Sequence, residues 1–70
     1  MLVHNPKELQ AIIGLANSKF EMGDIDGSIE QYKSAIQIDQ DIPDNFYNLA
    51  NAYYLKNDFD NAIESYKKAL

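Results

Sequence analysis

Within residues 43–70 the apolar positions fall at helical spacing twice. Phe46, Leu49, Ala50 and Tyr53 stand at i, i+3, i+4 and i+7, one face of an α-helix, and Phe59, Ala62, Ile63, Tyr66 and Leu70 form a second stripe. Between the stripes, Asn57 tolerates the left-handed conformation at a helix end and Asp58 supplies a capping oxygen. The first half repeats the same plan, with Ile12, Leu15 and Ala16, then Gly23 and Asp24, then Ile25, Ile29, Tyr32, Ala35 and Ile36. Gly23 takes the place of Asn57, and both suit a positive φ. Asn5-Pro6-Lys7-Glu8 reads as a helix start, with Asn5 as cap, Pro6 at the first helical position and Glu8 two further on. Pro43 cannot continue a helix from its N-terminal side, so Asp39-Gln40-Asp41-Ile42-Pro43 closes the first pair. The pattern predicts an all-α chain with helices near 7–22, 25–38, 44–56 and 59–70.

The two halves are copies. Shifting the chain by 34 positions pairs residues 9–36 with 43–70, and ten of the 28 pairs are identical. They are Leu15/Leu49, Ala16/Ala50, Asn17/Asn51, Asp24/Asp58, Asp26/Asp60, Ile29/Ile63, Glu30/Glu64, Tyr32/Tyr66, Lys33/Lys67 and Ala35/Ala69. Chance gives about two identities over such a stretch for this composition. Ile25/Phe59 and Ile36/Leu70 are conservative pairs within the same alignment.

Size and charge narrow the function. Seventy residues and 8.0 kDa hold one small domain. A chain of this length hides only ~60% of its unfolded surface on folding, so its core is marginal. The chain has no Cys, which removes disulfides, thiolate catalysis and Cys-ligated zinc together. Six Lys, no Arg and eleven acids leave a net charge of −5, the wrong sign for nucleic acid or an anionic membrane. Met1-Leu2-Val3-His4-Asn5-Pro6 lacks the apolar run of a signal peptide, and no run of apolar residues is long enough to span a bilayer. A cytoplasmic location is therefore expected.

Phe46-x-x-Leu49-Ala50-x-x-Tyr53, with Ala62-x-x-x-Tyr66 and Ala69 after it, resembles the tetratricopeptide repeat (TPR), whose period is also 34. A large apolar residue opens the first helix of each unit (helix A), a small one lets the second (helix B) approach, and an aromatic in helix B fills the space between them. The first unit departs from the pattern: Lys19 stands for the usual Tyr, Ser28 for the usual Ala and Gln40 for the closing Pro. Lys19 is expected to lay its methylene stem over the core and send its ammonium to water. Pro6 matches the closing proline of a preceding unit. The resemblance thus implies a first repeat at about 9–42, a truncated second at about 43–70, and 1–8 as the end of another unit. It also implies antiparallel helix-turn-helix units cut from a longer solenoid, since such arrays generally need three or more repeats.

For function, the resemblance implies a non-catalytic scaffold that binds a protein or peptide in a concave groove lined by the A helices. The groove residues are then Gln10, Ile13, Asn17, Phe20 and Glu21 from the first unit and Asp44, Tyr47, Asn51, Tyr54 and Leu55 from the second. Tyr47 and Tyr54 suit a peptide surface, because Tyr offers a large contact area at low rotamer cost, but Tyr there also packs between adjacent repeats. Asn17 and Asn51 can bond a peptide backbone in both directions, or make polar contacts between helices. A full clamp for a C-terminal carboxylate is not expected, because Ile13 stands where the resemblance places its first Lys. The alternative is a self-associating structural repeat, with Ile63, Tyr66 and Leu70 as the sticky face of a homo-oligomer.

Other chemistry finds no support. Asp24-Ile25-Asp26-Gly27 resembles part of a calcium loop, but aligning on Gly27 puts Met22 at the first ligand position and Lys33 at the last. His4 is the only histidine, and nothing in the pattern orients it. Ser18, Ser28, Ser34 and Ser65 fall within helices, and no glycine-rich phosphate loop is present. Glu30, Glu64, Lys33 and Lys67 read as the solvated face of the B helices. No enzyme activity, cofactor or metal is expected.

Overall fold

The computed structural model describes residues 6–70, with side chains from Lys7 onward. Four helices succeed one another: α1 (Pro6–Glu21), α2 (Ile25–Ile38), α3 (Pro43–Leu55) and α4 (Phe59–Ala69). Each boundary lies within one residue of the position that the periodicity predicts. The expected cap Asn5, and His4, lie outside the described residues.

Both hairpin turns are built by the same local chemistry. Gly23 has φ +87° and Asn57 φ +68°, the left-handed values that their residue types accept. These turns let the Asp24 N–H reach the Lys19 carbonyl at 2.8 Å and the Asp58 N–H reach the Tyr53 carbonyl at 2.9 Å, satisfying acceptors at the helix ends. Asp24 then caps α2 by accepting from the Gly27 N–H at 3.1 Å. Asp58 caps α4, accepting from the Asn61 N–H at 3.5 Å and from its side-chain amide at 2.8 Å. The connection between the hairpins is different. Pro43 is the first residue of α3, and Ile42 before it makes no side-chain cap bond.

Each helix packs on the next: α1 on α2, α2 on α3 and α3 on α4. The Cα extents of 36 × 26 × 15 Å fit a slab two helices thick. One core runs through it, made of Ala16, Ile29, Tyr32, Leu49, Ala52, Tyr53 and Ala62, with Phe20, Ile25, Ile36 and Tyr66 packed against its edge. Buried alanines bring the helix axes close. Ser28, at the place of Ala62, is also fully buried, and its hydroxyl donates to the Ile25 carbonyl at 2.8 Å. That bond is why the departure from Ala is tolerated.

Four stripe residues are not core. Leu15, Phe59, Ile63 and Leu70 are all exposed, although the periodicity groups them with buried neighbours. Leu15 lies on the outer side of α1 and Ile63 on the outer side of α4, where no described element packs. Lys19 also departs in part from expectation. It is half-buried with its stem beside Gly27, but its ammonium sits 3.3 Å from Asp24.

Candidate functional site

The repeated Asn and Tyr are joined in both units. The Tyr32 hydroxyl donates to Asn17 Oδ1, and the Tyr66 hydroxyl donates to Asn51 Oδ1 at 2.5 Å. Each bond spans 15 residues and ties a B helix back to its A helix. Among the two uses the sequence left open for these amides, the polar contact between helices is therefore present. It occupies only the carbonyl end. The NH₂ group of each Asn has no protein partner among the described residues, so it remains a donor.

Asn17, Phe20 and Glu21 of α1, Tyr32 of α2, and Asn48 and Asn51 of α3 enclose a hollow of about 190 Å³. It lies between the two A helices and opens to solvent. Glu21 makes no ion pair with any described residue. Burial, first, and the Glu21 charge, second, hold the Tyr32 hydroxyl above the usual tyrosine range. The nearby lysines are engaged elsewhere: Lys19 with Asp24, and Lys56 with Asp26 across the α2–α3 junction. Its Asp26 hydrogen bond lifts Lys56 above the usual ammonium range. Among the described residues the hollow thus has amide donors and one carboxylate outside any ion pair, and no cation lines it.

A larger hollow of about 420 Å³ lies at the outer side of α4. Asp44, Tyr47, Ile63, Tyr66 and Leu70 line it, and the Tyr47 and Tyr66 rings meet edge to face at 5.8 Å. The residues expected in one groove are consequently divided. Asn17, Phe20, Glu21 and Asn51 meet in the smaller hollow, whereas Asp44 and Tyr47 join the three self-association candidates in the larger one. Tyr54 packs edge-on against Phe59 at 5.5 Å and lines neither, nor do Gln10, Ile13 and Leu55.

Sequence reasoning missed Tyr32 and Asn48 as members of the smaller hollow. A signal for Tyr32 was present, because Asn17/Tyr32 and Asn51/Tyr66 are two copies of one spacing. Asn48 had no such signal, since its counterpart is Gly14. The acids of the calcium-like stretch are used structurally, Asp24 as a cap and Asp26 for Lys56. Asp24 sits below the usual carboxylate range, chiefly because the Gly27 N–H favours its ionised form and then because of Lys19. Among the described residues no three acidic or histidine side chains converge, and no helix is long and apolar enough to cross a membrane.

Comparison with curated proteins found no match. The family model for the TPR repeat, however, matches residues 16–57, which is more than half of the chain and takes in the first hairpin turn, α2 and α3. Together with the 34-residue duplication and the paired helical hairpins, this match places the chain in the tetratricopeptide-repeat family.

Proposed function

We propose that this chain is a non-catalytic scaffold that holds an extended segment of a partner protein between α1 and α3. Tetratricopeptide repeats in general mediate contacts between proteins. The supporting observation is the pair of Asn–Tyr bonds beside the 190 Å³ hollow. Each bond fixes its amide by the carbonyl end, so the donors are already oriented before a ligand arrives, which lowers the cost of ordering them. Those donors suit the carbonyls of an extended peptide backbone, and Phe20 offers apolar contact beside them. An isotope-labelled sample titrated with peptides selected from a random library tests this. Shifts are expected at the side-chain amides of Asn17, Asn48 and Asn51. Shifts confined to α2 and α4 overturn the assignment.

A second reading, self-association, draws on the apolar lining of the 420 Å³ hollow. The equivalent face of the first unit, around Ile29, packs against α3. In another copy the counterpart of α3 is α1, so head-to-tail stacking covers Leu15 and Ile63 together. That stacking also sets Lys19 where Tyr53 stands beneath Lys33, bringing it against Lys67. Mass by light scattering is then expected to rise with concentration and with added salt, which screens the lysine pair. A single-chain mass throughout removes the reading.

A further inference from the structure

We propose that the hollow between α1 and α3 selects a lysine or arginine side chain in the partner segment, with the Glu21 carboxylate as its counter-ion. This rests on the groove reading above and names what that groove accepts. The size is the first reason: 190 Å³ is the space of about six liquid waters, room for one long side chain rather than a docked helix. The charge is the second. Glu21 stands in the last turn of α1, where the carbonyl end of the helix adds partial negative charge, and cations are favoured at such ends. The basic residue of that same turn, Lys19, is drawn away to Asp24. Lys56, at the end of α3, is drawn to Asp26. Glu21 is therefore a carboxylate that pairs with no cation among the described residues, on the wall of a hollow in a chain of net charge −5.

The remaining walls fit the stem of such a side chain. Phe20 and Tyr32 give it apolar and aromatic surface, and Asn48 and Asn51 hold donors for the adjacent peptide carbonyls. An acidic side chain or a C-terminal carboxylate meets Glu21 with no compensating cation among the described residues that line the hollow, so it is rejected. Charge thus decides which peptides enter, whereas the amides decide that a peptide is held.

The test uses displayed random peptides selected on the whole chain at low salt. One selected peptide then enters a double-mutant cycle, Glu21→Gln on the protein against Lys→Leu on the peptide. Expected are selected sequences that share a Lys or Arg, binding about threefold weaker after either single change, and no further loss from the second. Sequences without a shared basic residue, or changes that simply multiply, overturn the Glu21 assignment. If binding still falls on Asn48→Ala and Asn17→Ala with helicity intact, the groove reading survives that result. If no peptide is retained, or binding is indifferent to both Asn variants, the groove reading falls and the Glu21 assignment with it.

Discussion

The hairpins α1–α2 and α3–α4 carry the same leucine and the same isoleucine, yet they bury opposite ones. Leu49 is 6% exposed and its counterpart Leu15 46%, whereas Ile29 is 7% exposed and its counterpart Ile63 54%. The residues are identical, so residue type does not decide burial. Position in the stack does. The hairpins meet chiefly through α2 and α3, so each hairpin has one inner face and one outer face. The same asymmetry explains why Tyr32 is buried and Tyr66 half-buried, although both make the same bond to an Asn. A repeat of this kind owes much of its core to its neighbour.

The sharpest break of that comparison is truncation of the shared leucine. Leu49→Ala is expected to cost about 2–4 kcal/mol, as for a buried leucine, and Leu15→Ala less than about 1 kcal/mol. Urea unfolding of the two variants measures both. Equal losses mean that the outer face of α1 is packed after all.

The turns come next. Gly23→Ala forces a side chain into left-handed backbone, at an expected cost of about 1–2 kcal/mol, although nothing crowds the added methyl. Gly23→Asn copies the second turn and is expected to cost only a few tenths of a kcal/mol. A large loss from Gly23→Asn shows that the two turns are not equivalent.

The tyrosine bonds should differ by less. Tyr32→Phe is expected to cost about 1 kcal/mol, because the buried hydroxyl and its Asn17 partner part company. Tyr66→Phe is expected to cost about half as much, since water reaches that bond more easily. Thermal melts resolve this difference, and the reverse order sinks the burial argument.

The smallest effect is a pH dependence confined to the first hairpin. Asp24 lies below its ordinary value of 3.8 in the folded chain, so its ionised form is favoured by folding. Its contribution is complete above the unfolded value and is lost as pH falls through the lowered folded value. Stability measured from neutral pH downward should therefore decline below pH 4 less steeply in Asp24→Asn than in the parent chain. Parallel curves overturn the role given to the Gly27 and Lys19 contacts.

The helices, the turns and the duplication were legible in the sequence because each rests on local chemistry. Gly23 and Asn57 reverse the chain, Asp24 and Asp58 cap α2 and α4, and Pro43 opens α3, all through bonds within a few residues. The candidate site was legible only in part. Spacing marked Asn17, Phe20, Glu21 and Asn51, but a stripe on a helix does not say which neighbouring element shares its space. Asp44 and Tyr47 carry the same marks and line a different hollow. Asn48 bears no mark at all.

What the sequence by itself determined is the unit: two helices, a left-handed turn and an aspartate cap, written twice at a period of 34. What only the tertiary structure decided is which copy of each residue is covered, where the lysines are held, and that Glu21 pairs with no described cation beside a hollow. The physical reason is range. Helix and turn energies act over three to five residues, whereas burial and charge pairing depend on which surfaces meet, and that is a property of the assembled stack.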